Sequence, residues 1–174
     1  GISHFSKEKH IYANLGDGTY KHSGILAIRA ALDAEVNITY KILYNDAVAM
    51  TGGQEIGDNW NVDGIIKQVL AEGVKKISVL SQNPKKYKYL SSKYVKSVHR
   101  DHIISEQVNL SKHKGVSVLI FDQTCAAEKR RRRKRGQMHD PLQRIMINPD
   151  VCEGCGDCSM QSSCVSIEPL ETKL

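Results

Sequence analysis

"GVSVLIFD", residues 115–122, sets valine, leucine, isoleucine and phenylalanine side by side with one serine among them. The run is too short for an amphipathic helix and lacks polar alternation, so it reads as a strand buried on both faces. Such a strand belongs in a parallel sheet, whose crossover helices cover both sides. Working outward, "KKISVL" (75–80), "NITYKILY" (37–44) and "HIYANL" (10–15) supply further strands. Between them, "SGILAIRAALDAE" (23–35) carries apolar residues at helical spacing, with Ser23 as its N-cap. "NVDGIIKQVLAEG" (61–73) reads as a helix ended by Gly73 at the C′ position. "NPKKYKYLSSK" (83–93) is a short helix opened by Asn83-Pro84, and "DHIISEQVNLSK" (101–112) another helix. Strand and helix in alternation predict an α/β fold with an open, mainly parallel sheet flanked by helices.

With 174 residues and 40% apolar composition, the chain can bury one ordinary core and carry a small appendage. After residue 122 the character changes to a basic helix (124–135), a break at Gly136 and a cysteine-rich tail. The domain boundary is set near residue 145, giving segments 1–144 and 145–174. No apolar run approaches the roughly 20 residues of a membrane span. "GISHFSKEKH" has no apolar h-region, so a secretory signal is not expected, and the chain reads as a piece of a longer one. The net charge of +6 is local, because Lys129 to Arg135, "KRRRRKR", are seven cations; +6 less seven leaves −1. Five cysteines, an odd number with C-x-x-C spacing, argue for reduced, metal-binding thiols in the cytoplasm rather than a disulfide framework.

Ligands in open parallel sheets bind beyond the carboxyl ends of the strands. Gly16-Asp17-Gly18 and Asn45-Asp46 both follow strands directly, one strand–helix–strand unit apart, so they should share that edge. Two hard oxygen side chains there, with a backbone carbonyl, suit Mg²⁺, whose remaining positions are open to phosphate and water. Flanking glycines allow a diphosphate close to the backbone. The plainer alternative makes Asp17 a turn residue and Asn45 a loop start.

The blocks "GDGTYKHSG", "YKILYNDAVAMTGGQ", "DQTCAAEKRRRRKRG" and "VCEGCGDCSMQSSCVSIEP" resemble indolepyruvate:ferredoxin oxidoreductase in its large fused form, within the 2-oxoacid:ferredoxin oxidoreductases. The resemblance covers nearly the whole chain. It implies a thiamine-diphosphate-binding fold with a small ferredoxin-like tail. Asp17 and Asn45 would ligate Mg²⁺ through side chains and Ala47 through its carbonyl. Gly16, Gly18 and the turn Met50, Thr51, Gly52, Gly53, Gln54 would line thiamine diphosphate. His22, otherwise a solvated loop histidine, would reach the 2-oxoacid or the cofactor as a catalytic group. Glu55 departs from the proline this family carries after "TGGQ". The implied activity is oxidative decarboxylation of a 2-oxoacid to acyl-coenzyme A and CO₂, with electrons passed to ferredoxin. The general acid/base of such enzymes sits on a facing pyrimidine-binding domain, absent from these motifs, and the assembly is expected to be oligomeric.

"CEGCGDCSMQSSC" places Cys152, Cys155, Cys158 and Cys164 at gaps suited to a 4Fe–4S cluster. Zinc or plain reduced thiols remain alternatives. The last gap exceeds that of bacterial ferredoxins and Val165 replaces their proline, so Cys164 is the weaker ligand. Cys125 reads as a small buried residue rather than a nucleophile. The arginine run is either a solvated helix or a cationic surface for ferredoxin, coenzyme A or another domain. Nucleic acid is disfavoured, since few aromatics are interleaved for base stacking. Two other functional classes stay open: an iron–sulfur electron-transfer module on an α/β scaffold, and a nucleic-acid-binding protein.

Overall fold

The computed structural model describes residues 5–45, 61–143, 145–162 and 167. The chain divides into two compact units, Gly1–Met138 and His139–Leu174. The first is an α/β layer built on a five-stranded, all-parallel sheet. Strand β1 (Ile11–Gly16) leads into a helical segment whose main body is α1 (Ile25–Asp33), followed by β2 (Ile38–Tyr44). Helix α2 (Val62–Ala71), β3 (Ile77–Ser81), a 3₁₀ segment (Pro84–Leu90) and β4 (Val95–His99) come next. Helix α3 (Ile103–Ser111), β5 (Val116–Asp122) and α4 (Ala126–Lys134) complete the unit. The strand order is β1-β2-β5-β3-β4.

The run that predicted the sheet lies at its centre. β5 pairs with β2 on one flank and β3 on the other, and Val118, Leu119 and Ile120 are wholly buried. On one face, Ile42, Val118, Ile120 and Val79 pack against Ile28 of α1 and Ile65, Ile66 and Val69 of α2. On the other, Leu80 and Leu119 meet Leu110 of α3. Each such side chain contributes about 1.5–3 kcal/mol when removed from water. Ser117, the one polar residue inside the run, shares a 2.7 Å hydrogen bond with Thr39 Oγ1, which bonds His10 Nε2 in turn, also at 2.7 Å. Its hydroxyl is thereby satisfied within the sheet.

The helix punctuation follows local chemistry. Asn61 caps α2, its Oδ1 accepting the Gly64 N–H at 2.9 Å. At the other end Gly73 takes φ +104° at C′, its N–H bonds Leu70 O, and Val74 N–H bonds Val69 O. That is the Schellman arrangement expected of a C′ glycine. Gly136 closes α4 in the same way at φ +69°, with bonds from Gly136 and Gln137 to Arg133 and Arg132 carbonyls.

Three expectations need correction. Ser23 does not cap a helix; helical geometry begins at Asp17, and Ser23 lies inside the segment. The apolar period starts only at Ile25 because the preceding turns carry polar and glycine residues. The 83–93 stretch is a 3₁₀ helix over Pro84–Leu90, shorter than predicted. Strand β4 was not predicted at all, since "VKSVH" is brief and half polar, as an edge strand allows.

Candidate functional site

β1 and β2 run parallel in a register that sets Gly16 opposite Leu43, so their carboxyl ends arrive side by side. Asp17 follows β1 immediately, and Asn45 follows β2. Asp17 is 3% exposed. Its Oδ1 accepts the Gly18 N–H at 2.8 Å and its Oδ2 accepts the Asn45 N–H at 2.9 Å. One carboxylate therefore ties together two loop starts that are 28 residues apart in sequence. The helical segment opening at Asp17 turns its N-terminal, partly positive end toward the same carboxylate.

The donor set fits a hard divalent cation. A carboxylate offers about four lone-pair sites, and two are used by the N–H bonds. Gly16 is exposed, and a Cβ built on either Gly16 or Gly18 would meet nothing within 4 Å. Packing among the described residues gives no reason for glycine at either place, and the space beside both is open to a ligand as far as those residues go. Gly24 differs: a Cβ there would come 3.2 Å from Leu15 Cδ1 and 3.2 Å from the Thr19 carbonyl oxygen. It is a packing glycine that lets the helix lie against β1.

Between them, Tyr20–Gly24 forms a π-type turn. Widened turns of this kind gather at functional sites. Tyr20 is wholly buried in it, and its hydroxyl donates to Gln68 Oε1 at 3.1 Å. Burial, then the nearby Glu72 charge, pushes that hydroxyl's pKa far up. His22 is exposed on the same turn, and no hydrogen bond ties it to Asp17 among the described residues. Ala47, Met50, Thr51, Gly52, Gly53 and Gln54, with Glu55, lie outside the described residues.

The strand-end row continues past Asn45 into groups that sequence reading did not single out. Asp122, at the end of β5, stands level with Tyr44 and Ser81. Its Oδ2 accepts from the Tyr87 hydroxyl at 2.7 Å and from Ser81 Oγ at 3.0 Å, with Lys86 Nζ 3.9 Å away. Burial and then the Asp122 bond raise the Tyr87 hydroxyl's pKa. An aspartate closing an otherwise apolar strand was the available signal. Cys125 is half-buried at the N-cap of α4.

In the second unit Cys152, Cys155 and Cys158 are exposed free thiols ahead of and within the short helix α5 (Asp157–Ser162). Gly154 and Gly156 take φ +71° and +80°, curling the backbone between them. Cys164 lies outside the described residues. Among the described residues, no three His, Cys, Asp or Glu side chains gather closely enough to hold a metal ion. The thiols fit a cluster by chemistry and spacing, not by their present convergence. No described helix is long and apolar enough to cross a membrane.

No protein-family model matches the chain. Indolepyruvate oxidoreductase subunit IorA of Thermococcus kodakarensis is 29% identical over 169 residues, covering 92% of this chain and 24% of that protein. The subunits of the same name from Pyrococcus abyssi and Pyrococcus horikoshii are 28% and 26% identical, each over 92% of this chain and 23% of their own length. The chain thus spans about a quarter of the curated relatives it matches. Among solved structures, a candidate thiamin diphosphate-dependent enzyme from Mycobacterium smegmatis superposes with a TM-score of 0.47 at 20% identity, over 68% of this chain and 19% of that one. Aligned over nine-tenths of its length at 26–29% identity, this chain is a distant homologue of indolepyruvate oxidoreductase subunit IorA.

Proposed function

We propose that this chain is the metal- and diphosphate-binding part of a thiamine-diphosphate-dependent 2-oxoacid:ferredoxin oxidoreductase, with indolepyruvate as the substrate. The observation that carries this reading is the Asp17 carboxylate bridging the Gly18 and Asn45 N–H groups at neighbouring strand ends. Asp17, Asn45 and the Ala47 carbonyl would hold Mg²⁺. Gly16, Gly18 and the turn Met50 to Gln54 would admit the diphosphate. His22 would donate a hydrogen bond to the oxoacid or the cofactor. Bound there, thiamine diphosphate would supply the electron sink for decarboxylation of a 2-oxoacid.

Cys152, Cys155, Cys158 and Cys164 would carry a 4Fe–4S cluster through which electrons leave for ferredoxin. The two left-handed glycines between the first three cysteines support this, because a chain wrapping a cubane must turn sharply there. Coenzyme A would take the acyl group, and a facing pyrimidine-binding domain would complete the cofactor pocket in an oligomer. The cysteine count and spacing favour a reducing, cytoplasmic setting for the reaction.

Calorimetric titration of thiamine diphosphate, with and without Mg²⁺, tests the proposal on this chain and on a longer one that includes the facing domain. Binding that requires Mg²⁺ and is lost in Asp17→Asn supports it. A folded longer chain that binds no cofactor refutes the catalytic reading.

A further inference from the structure

Helix α4 carries more positive charge than its own folding can use. Arg130 and Lys134 stand at i,i+4, and so do Arg131 and Arg135, spacings at which like charges repel along a helix. Glu128 is the only acid in the helix. Its carboxylate accepts Arg131 Nη1 at 3.2 Å and Arg132 Nε at 3.1 Å. Lost hydration would raise its pKa, but the bonds from Arg132 and Arg131 outweigh that and hold it low. Glu128 is therefore an anion engaged by those two arginines, whose side chains help cover it.

The side chains of Lys129, Arg130, Lys134 and Arg135 make no ion pair or hydrogen bond among the described residues, and the last three residues are exposed. Cations in a final turn do complement the helix dipole, but Arg131, Arg132, Arg133 and Lys134 together crowd that one turn, more charge than the dipole needs. The remaining charge is a standing cost to the fold that a bound anion would relieve.

The shape of the surface selects among anions. A small phosphate ligand needs a concave site, and this is the convex face of a nine-residue helix. A nucleic-acid strand would follow a longer basic track with aromatic platforms. α4 has no aromatic residue, and the chain outside Lys129–Arg135 sums to −1. That near-neutral remainder also makes a second copy a poor complement. An acidic protein surface fits a compact patch of this kind.

We infer that Lys129, Arg130, Lys134 and Arg135 form the docking face for an acidic electron-carrier protein. The inference rests on the proposed oxidoreductase reading, in which electrons must leave to a one-electron carrier. α4 follows the carboxyl end of β5 after the link Gln123–Cys125, so it rises from the strand-end edge that holds Asp17.

The test measures binding of the chain to a purified acidic ferredoxin by surface plasmon resonance. Single-stranded oligonucleotide and coenzyme A are run as parallel probes. The variant replaces Lys129, Arg130, Lys134 and Arg135 by glutamine, which keeps helix propensity; circular dichroism checks the fold. Lys85→Gln/Lys88→Gln, at exposed lysines elsewhere, is the control. We expect ferredoxin binding to weaken about tenfold or more between roughly 50 and 200 mM salt, and by a similar factor in the four-site variant alone. Ferredoxin that does not bind, or binds the variant equally, overturns the inference. Tighter binding of the oligonucleotide or of coenzyme A that is lost in the same variant also overturns it. The thiamine diphosphate titration is independent of these residues, so failure of docking and failure of the catalytic reading give different results.

Discussion

The Asp17 carboxylate accepts the backbone N–H of Asn45 at 2.9 Å, so one side chain fastens together the ends of the first two strands at the sheet edge. Asp17→Ala removes the acceptor for this N–H and for that of Gly18. We expect a loss of about 1–3 kcal/mol in urea unfolding without metal, and faster hydrogen exchange at Asn45. Asp17→Asn, which retains an acceptor oxygen, should lose less stability while losing Mg²⁺-dependent cofactor binding. Equal stability of Asp17→Ala and the parent chain would show that the fastening contributes nothing.

The glycines around the site should separate by role. Gly24→Ala drives a Cβ to 3.2 Å from a main-chain carbonyl and from Leu15, and should cost about 1–3 kcal/mol. Gly16→Ala and Gly18→Ala meet no atom of the described residues within 4 Å and should change stability by about 0.5 kcal/mol or less. Thiamine diphosphate affinity should show the opposite order, falling for Gly16 and Gly18. Thermal unfolding beside calorimetry checks both halves, and a large loss of stability at Gly18 would contradict the open space described there.

Glu106 gives the fold an acid-sensitive point. It is buried, and accepts from Ser78 Oγ at 2.7 Å, Lys96 Nζ at 3.1 Å and Asn109 Nδ2 at 3.2 Å. Burial would raise its pKa, but bonds from Ser78, Lys96 and Asn109 prevail and hold it below 4.5. A carboxyl depressed on folding stabilises above its unfolded pKa, and that contribution is lost as pH falls through the folded value. Stability of the parent chain should therefore drop below about pH 4.5, and the drop should be shallower in Glu106→Gln. Parallel pH profiles for the two proteins would disprove this role.

For the cysteine tail, anaerobic reconstitution with iron and sulfide should yield about four irons per chain and broad visible absorption. Cys155→Ser should abolish both. Stoichiometric zinc with no iron uptake would instead identify a zinc site.

Much of the architecture was readable because burial leaves a mark on composition. The 115–122 run is apolar but for Ser117 and the closing Asp122 because β5 has neighbours on both flanks and layers on both faces. β4 escaped because an edge strand needs only alternate apolar residues, and Val95-Lys96-Ser97-Val98 is too short to declare a period. The pairing of Asp17 with Asn45 could be expected from strand–helix–strand geometry. Its means could not, because the acceptor is matched to a main-chain N–H, which every residue but proline possesses. The early helix start was hidden for a similar reason: Asp17 bonds the very next residue, a spacing outside the usual capping signatures. Tyr20 and the Asp122–Tyr87 contact are tertiary, and no local pattern announces them.

Among the described residues β1 is bonded along a single flank, to β2, and it is the strand that delivers Asp17. The proposed metal-bearing residue thus rides on the margin of the sheet, where opening requires fewer broken bonds than at β5. Peeling of that margin would part Asp17 from Asn45 while the interior stays intact, so the site can breathe at a cost well below global unfolding. An ion seated between the two loop starts would act as a stitch along this seam, and its arrival would be felt first as slowed exchange in β1.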